Sequence, residues 1–302
     1  MIGPYFIRNG ELRPVEEAVT SIADVNLIYG FGVYETLKIR RRVLYFPERH
    51  EHRLYESARI IGLEHPFAEG EIVEAARRLG AANRVEDANV KILLIGGSVT
   101  AAGADARLEI MLLAPLFPDR RLYKRGATAI TVEAERHYPA SKSLSMTVST
   151  MAFRGAQRAN AYDALLVNRH GQVTEGTRTN LYLIAEGSVV TPPTSQCLDG
   201  VTRETLIDVL REMAVPVIER PIRREELLRA GAAGGGGGGA GTPGGGAADD
   251  NFGIFLSSTS TKVLPLSRID ATPVPIPGLF ASIADRYNRY LRSYAETQAP
   301  LW

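Results

Sequence analysis

Two periodicities divide the chain. Short runs alternate apolar and polar residues, or are apolar throughout. Longer runs place apolar residues three and four positions apart. The N-terminal part predicts a hairpin, Tyr5-Phe6-Ile7 and Glu11-Leu12-Arg13-Pro14 about an Asn9-Gly10 turn. A second strand pair follows, Val33–Ile39 and Val43–Phe46, joined by Arg40-Arg41-Arg42, which reads as a solvated loop rather than a binding patch. Helices are predicted from Pro47 to about Gly62, with Leu54, Ala58 and Ile61 on the apolar face, and from Glu69 to Leu79. Strands Val90–Ile95 and Leu108–Ala114 come next.

Two prolines and a charge cluster at Pro115–Arg121 break the pattern and suggest a boundary. The expected domains are 1–118 and 119–302. Beyond the boundary come a strand (Thr128–Glu133), a polar turn (Pro139–Ser145), a helix (about Leu144–Ala159) and strands Tyr162–Val167, Asn180–Ile184 and Val189–Thr191. A helix starts after Asp199-Gly200-Val201-Thr202, with Thr202 as its expected cap, and runs to about Met213. Residues 231–250 are mostly glycine and alanine, which build no core, so a flexible insert is expected there. Strand Ile254–Leu256 leads into the hydroxyl-rich turn Ser257–Thr261, which lies between two apolar strands. The last helix, about Leu279–Tyr294, carries Tyr287, Tyr290 and Tyr294 as a packing stripe. No internal repeat is found.

Composition narrows the function classes. The 302 residues are 45% apolar and 23% charged, with a formal net charge of +1. That balance gives no electrostatic case for nucleic acid or an anionic membrane. Cys197 is the single cysteine, so an intrachain disulfide and a cysteine metal site are excluded, and a reducing, cytoplasmic location fits. No apolar run has the length of a membrane span, and the first ten residues lack the basic and apolar regions of a signal peptide. His50 and His52 are two apart and diverge on a helix, so no metal site is expected.

The chemistry concentrates between residues 142 and 180. Lys142 stands in a short polar turn leading into an apolar helix, where partial desolvation would keep its amine neutral for Schiff-base chemistry. Glu175 could be an exposed carboxylate, or could hold a pyridine nitrogen protonated so that the ring acts as an electron sink. The start of the helix near Val201 and Thr202 offers backbone N–H groups to an anion, or is an ordinary cap. Ser258, Thr259 and Ser260 add hydroxyl donors. Arg53 could clamp a phosphate through two hydrogen bonds; its alternative is a helix-surface salt bridge.

Five pieces occur in order: Tyr29–Glu35, His50–Leu54, Ser141–Leu144, Val173–Leu181 and Leu198–Arg203, followed by Ser258-Thr259-Ser260. Together they resemble the class IV aminotransferases, the fold-type IV pyridoxal-phosphate enzymes. These include branched-chain and D-amino-acid aminotransferases, (R)-amine transaminases and aminodeoxychorismate lyase. The resemblance implies an α/β (α+β) fold, with a small N-terminal α/β domain, a larger C-terminal domain with a barrel-like sheet, the cofactor between them, and a homodimer. It implies Lys142 as the Schiff-base lysine and Glu175 as the ring-nitrogen partner. Arg53, Val201, Thr202, Ser258, Thr259 and Ser260 match the phosphate cup, and Asn180 the E-G-x-x-x-N motif. Tyr34 matches a substrate-pocket position, with Phe31, Arg178 and Thr147 beside it. Two positions depart from the family. Thr147 stands where branched-chain enzymes carry a tyrosine, and Leu94–Ser98 lacks the carboxylate-binding arginine of D-amino-acid enzymes, for which Lys91, Arg178 or backbone N–H groups could substitute.

The leading expectation is a ping-pong aminotransferase acting between a branched-chain-like L-amino acid and a 2-oxo acid. The alternatives are a D-amino-acid or (R)-amine transaminase, an aminodeoxychorismate lyase, and a catalytically idle binding paralogue.

Overall fold

The computed structural model describes residues 1–97, 105–228 and 251–302; the expected insert at 231–250 lies outside them. The chain forms two compact units. The first comprises Met1–Phe117, Tyr138–Met146 and Ser293–Trp302, and the second Pro118–His137 and Thr147–Arg292. These units differ from a single cut at 118/119, because the Lys142 turn and the C-terminal tail both group with the N-terminal residues.

The first unit contains β1 (Tyr5–Arg8), β2 (Glu11–Pro14), α1 (Val25–Tyr29), β3 (Gly32–Arg40), β4 (Val43–Leu44), α2 (Pro47–Ile60), α3 (Glu71–Asn83), β5 (Ala88–Ile95) and β6 (Arg107–Leu113). The strands form one antiparallel sheet in the order β2-β1-β6-β5-β3-β4. Along β3, Val33, Leu37 and Ile39 are buried with Leu54, Ile72, Leu79, Val90, Ile92 and Leu94 in one core. Tyr34 and Thr36 therefore point to the opposite sheet face. Pro47 opens α2 at its first turn, where its missing N–H costs nothing. Glu51 of α2 caps α3, accepting from the N–H groups of Gly70, Ile72 and Val73 at 2.7, 3.0 and 3.1 Å. α3 runs past the expected Leu79 to Asn83 and stops where Arg84 adopts φ 48°.

The second unit contains α4 (Leu122–Arg125), β7 (Ala127–Glu133), α5 (Thr147–Arg158), β8 (Asp163–Val167), β9 (Gln172–Gly176), β10 (Asn180–Ala185) and β11 (Ser188–Thr191). It continues with α6 (Val201–Glu212), β12 (Val217–Glu219), β13 (Ile222–Arg223), α7 (Arg224–Leu228), β14 (Phe252–Ser258), β15 (Lys262–Ile269), β16 (Thr272–Pro273) and α8 (Gly278–Thr297), whose last turns belong to the first unit. Its ten-stranded mixed sheet runs β12-β11-β10-β14-β15-β7-β8-β9-β13, with β16 on β15. β9 and β10 lie at separated places in that order yet are joined by the turn at 177–179 and pack together, so the sheet curls back on itself. Leu181 and Leu183 of β10 point into one core, Tyr182 and Ile184 into another beside α6 and α8. A strand buried on both faces reads as a continuous apolar run.

Two expected boundaries move. α5 begins at Thr147 rather than Leu144, because the Leu144 N–H bonds the Gly32 carbonyl at 2.8 Å. Thr202 is not the cap of α6: Gly200 takes that position with extended φ and ψ and no side-chain bond, and Thr202 is the second helical residue. Of the tyrosine stripe, Tyr287 and Tyr290 pack in the second unit, whereas the Tyr294 hydroxyl accepts from the Phe46 N–H at 2.9 Å in the first.

Candidate active site

In the first unit, the turn carrying Lys142 lies along β3. The Tyr34 N–H donates to the Lys142 carbonyl at 2.9 Å, and Val33 bridges to Ser143. Gly32 permits the approach, since a Cβ there would stand 2.7 Å from both the Leu94 carbonyl and the Leu144 side chain. Ser57 of α2 fixes the turn from another side: its Oγ accepts from the Lys142 N–H and its carbonyl from Ser141 Oγ, both at 3.0 Å. The backbone of Lys142 is thus held by a strand and a helix, while its half-buried amine lies 4.6 Å from the centre of the Tyr34 ring. Lys91 of β5 places its amine 3.4 Å from the same ring. Burial and the Lys142 charge press the Lys91 amine down to about 8, against the opposing pull of Tyr34 and Glu35.

Arg53 of α2 is buried. It forms a fork with the fully buried Glu35, Nε to Oε1 at 2.6 Å and Nη2 to Oε2 at 2.8 Å. His50 Nδ1 meets Glu35 Oε2 at 2.7 Å. Burial alone would raise the Glu35 pKa, but Arg53 and His50 overcome it and hold the carboxyl far below the usual range. Burial lowers the pKa of His50 despite Glu35, which leaves a neutral ring donating from Nδ1. Sequence reasoning left Glu35 without a role. Its signal was an acid at an inward position of β3, between Val33 and Leu37, where only cationic or N–H partners could satisfy it.

In the second unit, Glu175 is buried in β9 and accepts from Arg136 Nη1 at 2.7 Å and from the Leu198 N–H at 3.2 Å. Arg136 lies in an irregular segment and carried no signal of its own. Asn180 donates from Nδ2 to the Leu198 carbonyl at 2.7 Å, so two residues of the E-G-x-x-x-N motif grip the loop that leads into α6. Gly200 sits tightly in that grip, as a Cβ there would fall 2.1 Å from Asn180 Oδ1. Gly176 is equally confined, by Thr179 and Asp163. Among the described residues, the first N–H groups of α6, on Val201 and Thr202, and the hydroxyls of Thr202, Thr259 and Ser260 have no hydrogen-bond partner. Ser258 Oγ accepts from the Thr261 N–H at 3.1 Å. Of the expected pocket residues, Tyr34 is half-buried, whereas Phe31, Thr147 and Arg178 are exposed, and the Arg178 guanidinium lies 3.8 Å from the centre of the Phe153 ring. Cys197 is buried, and burial with the Glu175 charge pushes its thiol up to about 12, which makes it a poor nucleophile.

Residues 32–269 match the amino-transferase class IV family. The chain belongs to the class IV aminotransferases. It is 29% identical to a D-alanine aminotransferase of Bacillus licheniformis over 272 residues, 88% of each chain. It is 26% identical to a branched-chain-amino-acid aminotransferase of Pseudomonas aeruginosa over 234 residues, 72% of this chain and 76% of that one. The structure of the branched-chain aminotransferase of Thermoproteus uzoniensis with norvaline superposes with a TM-score of 0.84 at 25% identity, covering 99% of this chain and all of that one. This aminotransferase therefore has the fold-type IV architecture, and it is an enzyme of the transaminase class.

Class IV aminotransferases use pyridoxal phosphate, and the groups of this aminotransferase fit it. The unpartnered N–H groups and hydroxyls at the start of α6 and in the 258–261 turn suit a phosphate, which needs several donors at once. The buried Glu175 carboxylate suits a protonated ring nitrogen, and the Lys142 amine an aldehyde carbon.

Proposed function

We propose that this chain transfers the amino group of a branched-chain-like L-amino acid to a 2-oxo acid by a ping-pong sequence, with pyridoxal phosphate as cofactor and Lys142 as its catalytic lysine. The observation that carries this reading is the placement of Lys142: a backbone pinned by Tyr34 and Ser57, and an amine held 4.6 Å from the centre of the Tyr34 ring. Pyridoxal phosphate supplies an electron sink that lets the substrate Cα–H ionise. Lys142 Nζ would hold the cofactor at rest, be released when the substrate amine takes its place, and then move the substrate Cα proton to the cofactor C4′, as base and then as acid. A Glu175 carboxylate oxygen accepts the ring N–H. Val201, Thr202, Thr259 and Ser260 donate to the phosphate, with Ser258 shaping their turn and Asn180 fixing the loop before α6. Arg53, oriented by Glu35, adds positive charge for the phosphate. Tyr34 lines the substrate pocket, with Phe31, Arg178 and Thr147 at its margin.

A homodimer is part of this reading. Val19, Ile22, Val25, Ile28 and Tyr29 are exposed, and α1 buries none of its residues. A cytoplasmic setting is supported by the single, buried cysteine; no helix among the described residues is long and apolar enough to cross a membrane. D-amino acids are the second reading, favoured by the D-alanine aminotransferase relative.

The protein incubated with pyridoxal phosphate should hold a long-wavelength absorption band through gel filtration. Borohydride should then attach the cofactor to the peptide containing Lys142. L-leucine should bleach the band and a 2-oxo acid restore it; bleaching by D-alanine alone would select the second reading, and pyruvate release without an acceptor would select a lyase. A Lys142→Ala protein that keeps full transamination would end the proposal.

A further inference from the structure

Lys91 is a cation with no anion. Among the described residues its ammonium forms no ion pair and no hydrogen bond; its one close partner is the Tyr34 ring. β5 pairs with β3 so that Lys91 stands opposite Thr36 and Leu93 opposite Tyr34, which places all four on the sheet face turned away from the α2–α3 core. The carboxylates nearby are committed elsewhere. Glu35 faces the core and is held by Arg53 and His50, and Glu109 of β6 is held by Arg8 at 2.8 Å and Arg107 at 3.1 Å. A half-buried ammonium without an ion-pair partner costs stability, because burial disfavours its charge and the Tyr34 ring and the more distant Glu35 offset this only in part. Such a group is retained where a ligand brings the counter-charge.

The identity of that counter-charge follows from Lys142. Both amines approach the same ring, at 3.4 and 4.6 Å from its centre, and the Lys142 charge acts on the Lys91 amine. Substrate Cα must come to Lys142 Nζ for its proton to be taken, and in an α-amino acid the carboxylate is bonded to that carbon. An anion attached to the reacting carbon is then carried toward the second amine. We infer that Lys91 is the cation that binds the substrate α-carboxylate, so that this aminotransferase is built for α-amino acids in preference to amines lacking a carboxylate. The inference rests on the reading of Lys142 as the reacting lysine. It gives the missing loop arginine a replacement on a strand, where the side chain is better fixed.

The test uses equilibrium titration of the cofactor-loaded protein with unreactive acids, each beside its neutral amide: propanoate, 4-methylpentanoate and 3-phenylpropanoate. Wild type should prefer the acids. Lys91→Met should weaken acid binding about tenfold or more and leave the amides unchanged; Lys91→Arg should recover part of the loss. With L-leucine, Lys91→Met should raise KM about tenfold or more and change kcat less. A wild type that prefers none of the acids, equal losses for acid and amide, or no loss at all would overturn the inference. So would a loss of cofactor affinity with acid binding intact, which would assign Lys91 to the phosphate. Should Lys142→Ala retain transamination, the underlying reading fails instead, and the acid–amide titration still reports on Lys91 separately.

Discussion

Glu35 shows how one side chain can set the acid limit of this fold. Its carboxyl is depressed, so the stability it contributes is complete above its ordinary value of 4.5 and is lost as pH falls below that. His50 acts in the same direction. It is buried neutral, so the unfolded chain takes up a proton below about 6.5 that the folded chain refuses, and stability falls with pH there too. Stability should therefore decline in two stages, first below about 6.5 and again below about 4.5, as measured by urea unfolding across pH. Glu35→Gln should cost about 3–5 kcal/mol at neutral pH by stranding Arg53, and should remove the lower stage. A variant as stable as wild type, with both stages intact, would refute this account.

At the scale of elements, periodicity made most strands and the long helices legible, because each buries a face at period 2 or 3.6. It missed α1, α4, α7, β12, β13 and β16, which have two to five residues and too little sequence to show a period. The expected helix start at Leu144 lies three residues before the observed one, because the Leu144 N–H is spent on Gly32. Pairing between distant segments leaves no local trace of that kind. The same limit applied to the site. Lys142 and Glu175 stood out by motif, but Arg136, Ser57 and Glu35 take their roles from partners 39, 85 and 18 residues away. Gly32 tests how much the pairing matters. Gly32→Ala puts a methyl 2.7 Å from the Leu94 carbonyl, and should destabilise the protein by about 1–3 kcal/mol and displace the Lys142 turn. Thermal unfolding and the rate of cofactor attachment should both register it; unchanged values in both would mean that the turn does not depend on this approach.

At the scale of the whole molecule, the described residues expose a run of apolar side chains between Val19 and Tyr29. Ile22 is 95% exposed, Tyr29 79% and Val19 71%, far from the usual scatter of single surface hydrophobics. The proposed homodimer would cover this segment. Ile22→Asp should shift the species seen by analytical ultracentrifugation from dimer toward monomer and reduce activity in step. A wild type that sediments as a monomer would exclude the dimer.

Cys197 has a practical consequence for all such measurements. It is the sole cysteine, its Sγ lies 3.5 Å from the Pro193 carbonyl, and burial pushes its thiol up to about 12. In the native protein it should be silent toward maleimides, so a cysteine engineered on the surface would be a unique labelling handle with no background to remove. Once the loop before α6 opens, the thiol returns to ordinary reactivity. The rate at which Cys197 becomes labelled is then a clock for local opening at Leu198, the residue gripped by Glu175 and Asn180, and the clock comes with the native chain.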